Sequence, residues 1–374
     1  MNKMSSVNVL HILASGGIGG IEILCKDYAT YSKNNNIFLF LWNGGIIADE
    51  MKNKGDNVII LNAKKKEVIK TLNRILKICR TYEIKSVVVH HASPISHIYL
   101  MIIKKLLPNI TTIAYAHGNA EDMCGSLDER ARFIRKLIMS KSLNSADKVI
   151  AISNSVKNSL ISYFKINEKK IIVLYNGVDV KNFYLKRKKE NRENKVLELI
   201  YVGRLIQEKG VQTIIKALSL LPSDFKYRFR IIGDGPYREI LEKLVMNYGL
   251  MNRVQFLGKQ KNVVEYLWKS DIFIHMPIWK EGFGITIVEA MAAGLICICA
   301  RQGAIPEIIT DKENGFLVEK NNYINLKKVI LDIVNKYSYE DLEKIRKNAV
   351  KKSKAFSIEK FSNTLDQIMH IRKV

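Results

Sequence analysis

The sequence has no apolar run approaching the roughly 20 residues that a membrane-spanning helix needs. Its first apolar stretch, Val7 to Leu13, is brief, contains His11 and runs into glycines rather than a cleavage-type ending, so it is expected to be a strand and not a secretory leader. The five cysteines (Cys25, Cys79, Cys124, Cys297, Cys299) form no Cys-x-x-Cys pair and are odd in number, as expected of reduced core thiols in a cytosolic protein. No Asp-x-Asp is present to hold a metal. The glycines of residues 16–20 do not fit G-x-G-x-x-G, and no acidic ribose contact follows about 20 residues on, which argues against a dehydrogenase. Acidic residues are scarce: 36 Asp and Glu against 60 Lys and Arg give a net charge of +24. Such an excess implies anionic partners, whether nucleic acid, a membrane surface or phosphorylated substrates. Against nucleic acid, the cations are spread over both halves, aromatics are not interleaved with the basic runs, and no RNA- or DNA-binding motif occurs.

What is present suffices for two ordinary domains: 374 residues, 47% hydrophobic and 26% charged. The most informative stretch is Glu281-Gly-Phe-Gly-Ile-Thr-Ile-Val-Glu-Ala-Met-Ala-Ala-Gly294. Gly282 and Gly284 allow a tight left-handed turn, and the residues after it read as a short helix stopped by Gly294. Gly284, Ile285 and Thr286 then form a helix N-terminus, whose unpaired N–H groups and dipole suit a phosphate. Glu281 precedes the turn and Glu289 lies about one helical turn beyond it. Carboxylates would repel a phosphate, so their presence on either side points to a ligand carrying hydroxyls around its phosphates, as a nucleotide sugar does. The competing reading is an ordinary loop and capped helix with Glu289 solvated.

Along the chain, strand-like runs alternate with helical patterns. Val7–Leu13 leads through Ser15-Gly-Gly-Ile-Gly-Gly-Ile-Glu22 into a helix from Ile23 to Tyr31, the opening of a doubly wound α/β unit in which Gly16, Gly17, Gly19 and Gly20 let backbone approach a donor phosphate or an acceptor, or simply form a tight turn. Further strands are expected at Ile37–Trp42, Asn57–Leu61, Ser86–His90, Thr111–His117, Ala146–Ser153 and Ile171–Asn176. His91 and His117 stand at carboxyl ends of strands, where ligands bind, although each could be a satisfied structural histidine. The patterns at Lys64–Arg80 and Asp128–Asn144 are amphipathic with basic outer faces, able to lie on an anionic bilayer or to be solvated faces over a core. Residues 186–195 lose all hydrophobicity, which places a linker at 181–195 between domains 1–180 and 196–356. The second series follows Leu197–Val202 with Gly203-Arg204-Leu-Ile-Gln-Glu-Lys209-Gly210, two cations on a glycine-bounded loop suited to a diphosphate. Strands at Tyr227–Ile232, Val254–Gly258, Asp271–His275 and Leu295–Ala300 continue it. Pro236 is expected near the first position of its helix, and helices at Lys327–Asn335, Tyr339–Ser353 and Ser357–Ile371 close the chain.

These pieces in this order resemble the retaining glycosyltransferases of the GT-B fold, glycosyltransferase family four or "glycosyl transferases group 1", of the bacterial capsule, exopolysaccharide and lipopolysaccharide type. The resemblance rests on Asn176-Gly-Val-Asp179, Gly203-Arg-Leu205 with Lys209-Gly210, Ile232-Gly-Asp-Gly-Pro236, Phe256-Leu-Gly258, the seven residues between Glu281 and Glu289, and Pro306-Glu-Ile-Ile309 with Gly315-Phe-Leu-Val318. It implies two Rossmann-like doubly wound domains facing a central cleft, with the helix 357–374 packing back on the first. It also implies a cytoplasmic enzyme at the inner face of the membrane that moves a hexose from a nucleotide diphosphate sugar, UDP-sugar before GDP-mannose, to a glycan or lipid-linked acceptor. In that resemblance Glu281 holds sugar hydroxyls, Glu289 the ribose, and Arg204 and Lys209 the leaving diphosphate, helped by N–H groups at Gly284 to Thr286. Gly203, Gly235, Gly282 and Phe283 belong to the same donor site, Lys259 borders the base, His117 sits near the anomeric centre, and Gly17, Gly19 and Gly20 lie beneath the phosphates. No metal and no separate cofactor is expected. Two alternatives are an epimerase of nucleotide sugars with the same fold, which would need no acceptor, and a basic nucleic-acid-binding protein.

Overall fold

The structure, a computed structural model, describes residues 6–64, 66–90, 93–125, 128–184 and 196–370. The chain divides into two compact units, residues 1–177 with 358–374 and residues 178–357. His91, Lys65 and residues 185–195 of the expected linker lie outside the described residues. Val180–Phe183 forms one helical turn of the second unit, capped by the Asp179 side chain.

The first unit is built on a seven-stranded parallel sheet: β1 (Asn8–Ser15), β2 (Asn35–Asn43), β3 (Asn57–Ile60), β4 (Ser86–Val89), β5 (Thr111–Ala116), β6 (Lys148–Ala151) and β7 (Ile171–Val173), in the order β3-β2-β1-β4-β5-β6-β7. Its central strands are continuous apolar runs because helices cover both faces of a parallel sheet; Val9, Leu10, Ile12 and Leu39 are fully buried. The order runs outward in both directions from the β1–β4 pair, and the carboxyl ends of those two strands form the switch point at which such sheets bind ligands. The chain's last described helix, Ile358–His370, packs on Gly20–Tyr31 within this unit. Its Asp366 carboxylate there accepts from Tyr28 Oη at 2.6 Å, Ser32 Oγ at 2.7 Å and the Lys33 N–H at 2.8 Å.

The second unit repeats the plan with six parallel strands: β8 (Leu197–Val202), β9 (Tyr227–Ile232), β10 (Val254–Gly258), β11 (Ile272–His275), β12 (Ile296–Ala300) and β13 (Phe316–Val318), in the order β10-β9-β8-β11-β12-β13. Its core joins Tyr201, Phe229, Ile274, Ile298 and Leu326. The switch point falls between β8 and β11. The loops that leave those two strands, Gly203–Gly210 and Met276–Gly284, therefore open at one place in the unit.

Several boundaries differ from expectation. The helix expected from Lys64 starts at Val68, with Glu67 at its N-cap. Helix Arg238–Asn247 starts beyond Pro236, because the Tyr237 N–H is drawn to Leu205 O at 3.0 Å and holds the turn open. An unanticipated helix, Ile46–Asn53, follows Gly44-Gly45, and its Ile47 N–H donates to Gly16 O at 2.9 Å, which ties down the start of the glycine loop after β1.

Candidate functional site

In the second unit the sequence-derived residues meet at the switch point. Lys209 stands in the loop after β8 and Glu281 in the loop after β11. Their side chains form an ion pair, Nζ to Oε2 2.6 Å, each only 15% exposed. His275, the last residue of β11, completes the cluster with Nε2 3.2 Å from the same oxygen. Burial by itself would raise the Glu281 carboxyl, but the hydrogen bond from His275 and the charge of Lys209 outweigh it and hold the group well below the usual carboxylate range. Burial pulls His275 down against the attraction of Glu281, so the ring is neutral and donates from Nε2; its Nδ1 is buried without a partner among the described residues. With Oε2 taken twice, Glu281 keeps Oε1 as an acceptor that no described residue occupies. A carboxylate so arranged can receive hydroxyl groups and face a developing positive charge.

Helix Ile285–Ala292 starts immediately after this cluster. Gly284 is its N-cap with φ +106°, and no side chain caps the first turn, so the N–H groups of Ile285 and Thr286 are left to a ligand. Only Gly284 of the two expected turn glycines has positive φ; Gly282 does not, because the change of direction is completed in one residue. Phe283 is 2% exposed and packs edge-on against Phe356 at 5.4 Å, so it anchors the loop to the core and presents only backbone outward. Glu289 is half-buried on the same helix, one turn beyond Thr286. Arg204 is exposed, and its carbonyl accepts from Tyr201 Oη at 3.1 Å. Lys259 is exposed beyond β10. A Cβ at Gly203 would stand 2.6 Å from Tyr201 Oη and one at Gly235 would overlap Leu205 O, so both glycines are demanded by packing.

In the first unit the glycine loop behaves differently. A Cβ on Gly17 or Gly20 would meet nothing within 4 Å, and one on Gly19 would meet only the flexible end of Glu22. Packing thus gives no reason for glycine at 17 and 20, whereas close approach of a ligand would. His117 follows β5, partly exposed, with its ring stacked on Tyr115 at 4.2 Å. Its Nε2 lies 3.0 Å from His90 Nδ1, and His90 Nε2 lies 2.9 Å from His11 Nδ1. Burial lowers His11 to about 4 and His117 to about 3, and His90 well below its ordinary value. Residues whose folded pKa is depressed stabilise the fold fully above about 6.5, and that contribution drains away as pH falls toward the folded value. Urea midpoints should therefore drop between pH 7 and pH 5, with fully buried His11 alone accounting for roughly 2 kcal/mol. A flat profile would mean that the histidines take up protons as readily in the fold as in the unfolded chain.

The sequence marks Glu281, Lys209 and His117 as site residues but not His275, His90 or His11. His275 could have been found by the rule applied to His117, a polar residue closing a buried strand. His11 lies inside an apolar run, where no local signal separates a linked histidine from a solitary one. Among the described residues, no group of three or more His, Cys, Asp or Glu side chains is placed to hold a metal, all five cysteines are buried and free, and no helix is long and apolar enough to cross a membrane.

Residues 182–352 match the family described as Glycosyl transferases group 1, and residues 19–182 match Glycosyltransferase Family 4. An uncharacterized glycosyltransferase of Methanocaldococcus jannaschii is 32% identical over 76% of this chain and 73% of its own length. The N-acetyl-alpha-D-glucosaminyl L-malate synthase of Bacillus anthracis is 32% identical over 62% of this chain and 60% of its own. Among solved structures, Anabaena HepE in complex with UDP superposes with a TM-score of 0.83 at 18% identity, covering 97% of this chain and 99% of that one.

Proposed function

The chain belongs to the group 1 glycosyltransferases and shares their GT-B fold, and from that premise we propose that it moves a hexose from UDP-sugar, with GDP-mannose next in order, to a glycan or lipid-linked acceptor in cell-surface polysaccharide synthesis, retaining the anomeric configuration. The observation that carries this reading is Glu281, ionised, half-sheltered and with Oε1 open, directly before an uncapped helix N-terminus. One side of that arrangement suits sugar hydroxyls and the other suits a diphosphate. The UDP bound to a protein of the same fold supports the choice of base, and the alpha product named for the Bacillus relative supports retention.

Departure of a nucleoside diphosphate leaves negative charge on the phosphate and an oxocarbenium-like sugar. In this reading Arg204 and the N–H groups of Gly284, Ile285 and Thr286 receive the first, a preorganised electrostatic role that needs no metal and in which one donor is worth about 2.7 to 4 kcal/mol. Glu281 holds sugar hydroxyls and faces the cation; Glu289 takes the ribose; Lys259 and its neighbours border the base; Gly17 and Gly20 admit the donor phosphates. His117 is assigned to the sugar near its anomeric carbon. Lys209 is paired with Glu281, and its charge supports the diphosphate from that position.

For the acceptor, helix Glu129–Ser145 is the informative element. Phe133 is 61%, Ile134 49% and Leu137 54% exposed, and with Arg130 and Lys141 they share one helical stripe, apolar in the middle and cationic at both ends. Such a stripe fits a bilayer of anionic lipid, where a lipid-linked acceptor resides. The test is a donor panel with membrane extract, with and without anionic vesicles, reading the nucleoside diphosphate released and the lipid that gains mass. Release of UDP that depends on acceptor and rises with vesicles is expected. An altered sugar nucleotide formed without acceptor would point to an epimerase instead, and no released diphosphate from any donor would end the proposal.

A further inference from the structure

Between the C-terminal helix and His117 runs a continuous line of hydrogen bonds whose direction is fixed at every step. It starts at Asp366, whose carboxylate can only accept. It takes the protons of Tyr28 Oη, Ser32 Oγ, Lys33 N and Asn34 Nδ2. Ser32, its proton committed, can only accept in turn, and it does so from Asn36 Nδ2 at 2.7 Å and Asn34 N at 3.1 Å. Asn36 Nδ2 also faces the Asn34 carbonyl at 3.3 Å, so a flipped amide would set oxygen against oxygen. Its Oδ1 is thereby turned to His11 Nε2 at 3.0 Å, which must carry the proton.

From there the chemistry of neutral imidazole decides the rest, since a ring with one proton donates at one nitrogen and accepts at the other. His11 Nδ1 accepts from His90 Nε2, and His90 Nδ1 accepts from His117 Nε2. The column is closed to water: His11 is 0% and His90 2% exposed, with Phe38 stacked on His11 at 4.9 Å and Tyr115 tilted against His90 at 5.2 Å. Of the other titratable groups against the column, Tyr28 and Tyr115 are held as neutral phenols by burial, and Cys25 stays a thiol with Sγ 3.9 Å from both His90 nitrogens, too far and too weak a donor to compete. At the far end, His117 Nδ1 holds a lone pair with no described partner.

We propose that Asp366, Ser32, Asn36, His11 and His90 are positioning residues that hold His117 as the neutral Nε2–H tautomer, so that its Nδ1 is presented as a hydrogen-bond acceptor to a hydroxyl of the transferred sugar. This rests on the assignment of His117 to the sugar made above. The three ring dipoles add head to tail with their negative end at His117 Nδ1, and hydrogen bonds in such a chain polarise one another. A cationic sugar therefore meets a lone pair already aimed at it, which is electrostatic preorganisation without a charge on the ring. The column also gives the C-terminal helix a part in the chemistry, because the direction of every bond traces back to Asp366.

Nitrogen-15 spectra of the full-length protein labelled at histidine read the tautomer directly, without ligand and without a variant. His117 is expected with Nε2 protonated and Nδ1 bare near neutral pH. His90→Gln offers an amide N–H toward His11 and a carbonyl toward His117, the same polarity as the imidazole, and should keep both the tautomer and most of the turnover. His90→Leu should leave His117 in mixed tautomers and lower kcat about tenfold or more, with a smaller change in KM. Protonation of His117 on Nδ1 in the wild-type protein would overturn the proposal. So would a His90→Leu protein with unchanged spectrum and turnover, or a folded His90→Gln protein as impaired as His90→Leu. If His90→Leu does not fold, the wild-type spectrum and His90→Gln decide. A spectrum as expected, in a protein that turns over no sugar nucleotide, would remove the sugar from the assignment while leaving the tautomer in place, so the two failures are distinct.

Discussion

Glu281→Gln is expected to reduce kcat by about two to three orders of magnitude, with the unit still folded. A carboxylate about 4 to 5 Å from a developing oxocarbenium carbon is worth roughly 3 to 4 kcal/mol at an effective dielectric near 20, and each 1.36 kcal/mol is tenfold in rate. Glutamine retains an acceptor for His275 and Lys209 but leaves the Lys209 cation without its counter-ion, so some stability is lost as well, and the kinetic loss falls on turnover more than on substrate binding. Lys209→Met acts differently. It removes the cation 2.6 Å from a carboxylate that is 15% exposed, leaving His275 as the remaining donor to Oε2. Breaking one side of a buried pair typically costs about 3 to 5 kcal/mol. The double variant Lys209→Met with Glu281→Gln has no uncompensated charge, so it should regain thermal stability while remaining as slow as Glu281→Gln alone. The pH dependence has the corresponding sign. Because the Glu281 pKa is depressed in the fold, its contribution is whole above the ordinary carboxylate range and lost as pH falls below it; the glutamine variant should lack that acid-side decline. Wild-type turnover by Glu281→Gln would remove Glu281 from the chemistry altogether.

How far the sequence led differs between fold and site for a physical reason. The strands of the second unit are legible to the residue by two signals. Leu197–Val202 is mostly apolar and buried toward its carboxyl end, and Val254–Gly258 is a short, mostly apolar run ended by glycine, whereas Tyr227–Ile232 alternates apolar residues with arginines before closing on Ile231-Ile232. Helix Tyr339–Ser353 was equally clear, with Ser338 and Asp341 forming its capping box. Helix Ile46–Asn53 was not, because its eight residues follow two glycines and owe their start to a bond with Gly16 across the sheet, a contact far from it in sequence. At the site, residue types and spacing exposed Glu281, Arg204 and Lys209. What they could not show was pairing, since Lys209 and Glu281 are 72 residues apart. Two cations on one loop looked equivalent in sequence; in the fold Arg204 is exposed and Lys209 is tied to a carboxylate. His11 and His90 are 79 residues apart, and only the β1–β4 pairing sets them on neighbouring strands.

Gly210→Ala and Gly233→Ala are expected to unfold the second unit at physiological temperature, whereas Gly17→Ala and Gly20→Ala should melt like the wild type and bind donor poorly. Gly210 sits at φ +71° as the N-cap of helix Val211–Leu218, and a Cβ there would overlap the carbonyl oxygen of Met276 in the loop after β11. Gly233 sits at φ +129°, where a Cβ would overlap the carbonyl oxygen of Gly203 at the end of β8. Left-handed backbone alone costs an L-residue about 1 to 2 kcal/mol. The overlaps are with backbone, so relief requires moving the loops that carry Arg204, Lys209 and Glu281, whose ends are fixed by sheet bonds such as Gly203 N–H to Ile232 O at 3.0 Å and Gly233 N–H to Gly258 O at 2.8 Å. The sum should exceed about 4 kcal/mol, in the range where a single substitution consumes much of a domain's stability. At Gly17 and Gly20 the same methyl meets no described atom within 4 Å, so what it is expected to obstruct is a ligand. Thermal melts and donor titrations on the four variants therefore separate glycines kept for packing from glycines kept for binding. A Gly210→Ala protein melting within about 2 °C of wild type would mean that the loops after β8 and β11 are free to part, and the close approach that brings Lys209 onto Glu281 would lose its structural basis.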